Sequence, residues 1–180
     1  MAVDLTQLDP DFQAKIQQLL TACSNAGYPM QPNEGIRSPF EQGQLWRQSR
    51  TLDIVQAKIA QLNANGQTFL ATSIQRCGPC SGDPVTNAIP GLSWHQWGNA
   101  LDCVWIMPDG SENWSDSALV NGKNGYHVYA DIAEEIGLTA GGHWDTLTDW
   151  PHVQLPVAAS PLGVYTLQQI NDMMQQRFGP

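Results

Sequence analysis

Two short stretches hold the residue types from which a metal site can be built. The first runs Ser93-Trp94-His95-Gln96-Trp97-Gly98-Asn99-Ala100-Leu101-Asp102. The second runs from Gly141-Gly142-His143-Trp144-Asp145 to Asp149-Trp150-Pro151-His152. Together they supply imidazoles at His95 and His152, a carboxylate at Asp102, and a further carboxylate at Asp149, three residues before His152. Zinc accepts imidazole nitrogen at about 2.0–2.1 Å and carboxylate oxygen at a similar length; structural sites are closed by four ligands, whereas catalytic sites keep one position open. Three ligands and one spare carboxylate therefore point to a catalytic metal. A His on the loop entering a strand and an Asp farther along it can converge if the strand curves, and Gly98 lets backbone approach where a Cβ would obstruct. Pro151 fixes the backbone just before His152.

Each residue also has a plainer reading. A single His among tryptophans is more often a hydrogen-bonded core or rim residue than a ligand. Asp102 shifts the balance, because a buried carboxylate is costly unless it is paired or metal-bound, and the chain has only 8 Lys and Arg to pair with it. His143, between Gly142 and Trp144, can line the site, and Ser93 can orient the loop or the Asp102 carboxylate. His127 falls on a polar helix position and reads as solvated. Cys77-Gly78-Pro79-Cys80 spells a thioredoxin-type motif. That motif needs a helix N-terminus directly behind it, and Ser81-Gly82-Asp83-Pro84 is a turn-rich run instead. A loop cross-link or two idle thiols is the better reading.

These side chains need a scaffold, and 180 residues suit one domain with a full core. No repeat or linker divides the chain, so the expected organisation is a single domain over residues 1–180 with no separate wall-binding part. Against 17 acidic residues the 8 basic ones leave a net charge of −9, which excludes phosphate-binding surfaces for nucleic acid and offers no basic patch for anionic lipid. The N-terminus shows no basic region followed by an apolar run, so no secretory signal is read. No run of about 18 apolar residues predicts a spanning helix. The expectation is synthesis in the cytoplasm, with any export by another route.

Asp9-Pro10 followed by Phe12, Ile16, Leu19, Leu20 and Cys23 predicts a capped helix that ends at Gly27. Ser38-Pro39-Phe40-Glu41 is a capping box, and Leu52, Val55, Ile59 and Leu62 set a third helix. Thr68–Ile74, β-branched and aromatic, predicts a strand. Residues 75–92 read as a long loop. Asn99–Met107 alternates as a strand with Ala100, Asp102 and Val104 on one face. Residues 126–136 predict a helix that faces inward through Val128, Ile132 and Ile136. Val153–Leu155 is a short strand, and Thr166-Leu167-Gln168-Gln169 opens a last helix with Leu167, Ile170 and Met174 inward. Helices first and strands later give the class α+β with a mostly antiparallel sheet.

Ser93-x-His95-x-x-Gly98-x-Ala100-x-Asp102, with Gly141-Gly142-x-Trp144 and Asp149-x-Pro151-His152, resembles the two-part signature of the D-Ala-D-Ala carboxypeptidase and L-Ala-D-Glu endopeptidase family. Gly35-Ile36-Arg37-Ser38, Glu41-Gln42 and Leu45-Trp46 resemble its upstream segments. The resemblance spans roughly residues 30 to 155. It implies a hedgehog/D-Ala-D-Ala peptidase-like α+β fold with Zn2+ on the central sheet, held by His95, Asp102 and His152. Asp149 is then the general base and Arg37 the cation facing the developing oxyanion. Ser93, Gln42, Trp144 and His143 stand around the metal or substrate. Many relatives carry Glu where this chain has the shorter Asp149.

The implied substrate is the stem peptide of peptidoglycan, cut between L-Ala and D-Glu by a monomeric endolysin of phage or prophage origin released through a holin. Three alternatives remain at this stage: a D-Ala-D-Ala carboxypeptidase, a non-catalytic zinc-stabilised wall-binding or virion module, and an oxidoreductase using Cys77 and Cys80.

Overall fold

A computed structural model describes residues 3–180. The chain separates into two compact units, one of residues up to Ile36 with Trp97–Pro156 and one of Arg37–Gln96 with Val157–Pro180.

The first unit is a sheet faced by two helices. Helix α1 (Pro10–Asn25) starts where Asp9 accepts the backbone N–H groups of Asp11 and Phe12, a cap of the kind that contributes about 1 kcal/mol. Strand β1 (Met30–Glu34) pairs with β2 (Ala100–Ile106), and β2 pairs with β5 (His152–Gln154), which pairs with β4 (Thr139–Ala140); β3 (Glu112–Asn113) also joins β2. Every pairing is antiparallel, as the sequence predicts. Helix α5 (Gly125–Glu135) is capped by Asn124, whose side chain accepts the N–H groups of Tyr126 and His127.

The core of this unit joins Phe12, Ile16, Leu19 and Cys23 of α1 to Leu101, Cys103 and Trp105 of β2 and to Tyr126, Tyr129, Ala130 and Ala133 of α5. The inward face of α5 is thus not the one expected. Val128, Ile132 and Ile136 are only partly buried, because the two tyrosines fill the space beside the sheet and the alanines let the helix come close.

The second unit is helical: α2 (Pro39–Arg47), α3 (Leu52–Ala64), α4 (Thr68–Arg76) and α6 (Leu167–Phe178). Both expected capping boxes are present, Ser38 with Glu41 and Thr166 with Gln169. The strand expected over Thr68–Ile74 is instead α4. Leu70, Ala71 and Ile74 fall on one buried helical face. Gln67 gives α4 no side-chain cap; instead Asn171 of α6 accepts the N–H groups of Phe69 and Leu70 at 3.0 and 3.2 Å. Tertiary capping of two otherwise orphaned donors overrides a local β preference that is always context-dependent. Leu52 is exposed and Ile59 only half-buried, so α3 rests on Val55 and Leu62. On α6 the inward residues are Ile170 and Met174, with Leu167 half-buried.

Candidate metal centre

Strand register brings the two distant motifs together. Asp102 and His152 are direct partners across the β2–β5 pair, the spacing at which cross-strand side chains meet. The His152 Nδ1 lies 3.0 Å from Asp102 Oδ1. His95 sits on a short 3-10 turn, Trp94–Trp97, that leads into β2, and it is buried. One ligand atom from each of His95, Asp102 and His152 lies within 4.8 Å of the other two. The three expected ligands therefore converge.

Two local features make this possible. Gly98 has φ +78°, and a Cβ there would meet the Asp9 nitrogen at 3.1 Å and the Gln7 carbonyl at 3.2 Å. The Asp9 N–H donates to the Gly98 carbonyl at 2.9 Å. The close approach expected at Gly98 is thus to the segment entering α1. Gly141 serves the other half of the site: a Cβ there would meet the Asp149 carbonyl at 2.5 Å and the His152 Cβ at 3.0 Å. The Asp149 N–H donates to the Gly141 carbonyl, and the His152 N–H to the Asp149 carbonyl, so Asp149–His152 is a closed turn seated on a bare backbone.

The donor set suits zinc in type, with two imidazoles and one carboxylate. The second nitrogen of His152 supports the fit. Its Nε2 lies 3.1 Å from the side-chain oxygen of buried Gln154, the outer hydrogen bond that typically fixes the tautomer of a metal-binding histidine and leaves its other nitrogen free to ligate. Burial opposes charge on His152, but the hydrogen bond and charge of Asp102, helped by Asp149, outweigh it and hold the imidazole above its ordinary value. Gln154 was not foreseen. Two buried polar residues at i and i+2 on one strand, His152 and Gln154, were the signal for it.

The remaining site residues are placed as follows. Asp149 is half-buried and close enough to act on His152 by its charge. The Trp144 ring lies 5.1 Å from that of His152. Arg37 is largely buried, and its Nη1 donates to the Gln42 side-chain oxygen at 3.0 Å. Gln42 in turn donates to the Ala88 carbonyl at 2.8 Å, so it holds the guanidinium in place. The Ser93 carbonyl accepts the Gln96 N–H at the start of the 3-10 turn. The two nitrogens of His143 face Glu134 at 3.1 Å and Asp131 at 3.4 Å on α5.

The redox reading of the cysteine pair also fails on geometry. Cys77 follows the last turn of α4, the negative end of a helix, where a thiolate is disfavoured. Its sulfur faces the carbonyls of Ser73 at 2.8 Å and Phe40 at 3.1 Å. Burial first, then the neighbouring Cys80, push the thiol up to about 11. Both cysteines are free, so the loop cross-link is not formed.

A His/Asp/His centre beside an antiparallel sheet, with the Asp149 carboxylate nearby, has the donor set of a hydrolytic type of metal site. Comparison with known proteins gives the same class. A family model described as D-alanyl-D-alanine carboxypeptidase matches residues 86–155, which contain both halves of the centre. The peptidoglycan L-alanyl-D-glutamate endopeptidase CwlK of Bacillus subtilis (strain 168) is 28% identical over 152 residues, covering 83% of this chain and 74% of that protein. In these matches the chain is similar to the D-Ala-D-Ala carboxypeptidase and L-Ala-D-Glu endopeptidase family of zinc peptidases.

Among solved structures, the L-Ala D-Glu endopeptidase ChiX of Serratia marcescens aligns with TM-score 0.45 and 23% identity, covering 84% of this chain and 82% of that one. The LD-carboxypeptidase LdcB aligns with TM-score 0.47 and 19% identity, covering 96% and 76%. The likeness to that family is carried by the two sequence matches.

Proposed function

We propose that this zinc peptidase acts on peptidoglycan and cuts the bond between L-Ala and D-Glu of the stem peptide. The observation that carries the reading is the match to CwlK across most of both chains, combined with the convergence of His95, Asp102 and His152.

In this reading those three residues hold the zinc. When bound, zinc supplies a Lewis-acid centre that acidifies water and polarises a carbonyl. Asp149, fixed by its turn against Gly141, takes the proton of the attacking water and returns it to the leaving amine. Arg37, held by Gln42, faces the oxygen on which negative charge develops, the interaction that is usually the largest catalytic contribution. Trp144 walls the side of His152, and Ser93 starts the turn that presents His95. Asp149 is one methylene shorter than the Glu of many relatives, so its reach depends on how closely the Asp149–His152 turn is held.

The wider setting proposed is a monomeric single-domain endolysin of phage or prophage origin, made in the cytoplasm and released to the wall through a holin. The lack, among the described residues, of any helix long and apolar enough to cross a membrane is compatible with this, and so is the net charge of −9, unsuited to nucleic acid.

The description of the matching family model favours one second reading, a carboxypeptidase that removes terminal D-Ala. Digesting purified stem peptides and weighing the products separates the two. Release of L-Ala from the D-Glu-containing remainder is expected, and loss of terminal D-Ala alone would reject the endopeptidase assignment. A zinc-stabilised binding module, the reading without catalysis, would release neither product.

A further inference from the structure

We infer that the outward stripe of α5, formed by His127, Asp131 and Glu134, is a positioning element for the turn that carries Asp149 and His152. The inference rests on the roles given to those two residues above.

Spacing at i, i+4 and i+7 sets His127, Asp131 and Glu134 on one helical stripe. All three are exposed, and by sequence His127 reads as a solvated position. In the structure the stripe is occupied by the site segment. The His127 ring stacks on Trp150, centroids 4.3 Å apart and planes within 21°. One turn along the helix and beyond, Asp131 and Glu134 face the two nitrogens of His143 at 3.4 and 3.1 Å. Trp150 and His143 also meet each other edge to face, at 6.4 Å and 82°.

Trp150 cannot shift toward Gly142, because its ring already lies against that bare Cα, where a Cβ would come within 2.3 Å. On the next residue Pro151, the carbonyl accepts the Cys103 N–H of β2 at 3.0 Å and the Tyr129 hydroxyl of α5 at 3.3 Å. Helix α5 therefore grips Trp150 and Pro151 from both its exposed and its buried faces. These are the two residues that separate Asp149 from His152.

The consequence is specific. His152 is also held by strand register and Gln154, while this turn sets the backbone from which the Asp149 side chain projects. Misplacing a catalytic group by about 1 Å can cost on the order of 10²-fold in rate, and losing a contact that orients a metal ligand typically costs ~10–100-fold in affinity or activity. An exposed aromatic stack contributes little to global stability, so its loss is read at the site before it is read in unfolding.

The test compares wild type with His127→Ala, His127→Phe and Asp149→Asn. Three quantities are measured: zinc affinity by competition with a chromophoric chelator, kcat and KM on a stem peptide, and the thermal midpoint. His127→Ala is expected to lower kcat ~10-fold or more and to weaken zinc by up to ~10-fold, with KM and the thermal midpoint nearly unchanged. His127→Phe keeps a ring over Trp150 and is expected to recover both losses. The inference is overturned if His127→Ala matches wild type in kcat and zinc affinity. It is equally overturned if Phe and Ala are impaired alike, or if the loss follows a lowered thermal midpoint. Should Asp149→Asn retain full activity, the base assignment fails, yet zinc affinity in His127→Ala still reports on the turn through His152.

Discussion

Two regions of this chain carry residues that suggest chemistry by spacing alone, and they behave in opposite ways. The β2–β5 pair puts Asp102 opposite His152, so a carboxylate and an imidazole far apart in sequence become hydrogen-bonded neighbours. Cys77 and Cys80 are close in sequence, yet they sit past the C-terminal end of α4 among carbonyl oxygens, with the Cys77 thiol raised to about 11. Motif chemistry depends on the backbone that presents it. A cross-strand pair fixes both partners and lowers the cost of the buried charge, whereas a helix C-terminus works against the anion a redox motif requires.

The largest effect that can break this contrast is at Asp149. Asp149→Asn keeps the shape of the turn and removes the base, so kcat is expected to fall ~10²–10⁴-fold while zinc stays bound. Steady-state kinetics with metal analysis on the same sample checks both halves of the statement. A variant that loses zinc as well would make Asp149 a structural part of the centre.

A smaller effect is expected where the two site segments are seated. Gly98→Ala forces a side chain into left-handed backbone, at about 1–2 kcal/mol, and into contact with the Asp9 nitrogen. For a chain of this size each kcal/mol lowers the thermal midpoint by about 2–4 °C. A fall of roughly 2–8 °C in a melting curve is the expected result, and an unchanged midpoint would mean that the 7–9 segment yields without cost.

The smallest effect belongs to the cysteines. Replacing Cys77 and Cys80 together by Ser is expected to leave peptide cleavage unaltered. In the wild-type protein at pH 8, a thiol held up to about 11 has on the order of 10⁻³ of its population as thiolate, so Cys77 alkylates far more slowly than a free thiol. Mass-spectrometric labelling against time measures this directly, and rapid labelling at Cys77 would restore the pair as a candidate reactive site.

Much of the fold can be read from local signals, because those signals are local in cause. Asp9-Pro10, Ser38 with Glu41 and Thr166 with Gln169 start helices through contacts within one turn, and all three appear as expected. The alternation through Ala100–Ile106 places Asp102 correctly for the same reason. Thr68–Ile74 defeats this kind of reading, since the partner that caps the helix, Asn171, arrives from α6. On α5 the apolar period is visible but its phase is not: tyrosines and alanines fill the sheet side better than Val128 and Ile132. At the site, the ligand types were legible from spacing, while Gln154 behind His152 and the carboxylates beside His143 depend on register and helix packing.

Zinc stoichiometry tests the centre itself most directly. Purified protein freed of metal and titrated with zinc against a chromophoric chelator should bind one ion per chain, and Asp102→Ala and His152→Ala should each bind it far more weakly without unfolding. One tight zinc in wild type, lost in both variants, is the expected result. Undiminished zinc binding by either variant, or none by the wild type, would contradict the convergence of His95, Asp102 and His152 on a single ion.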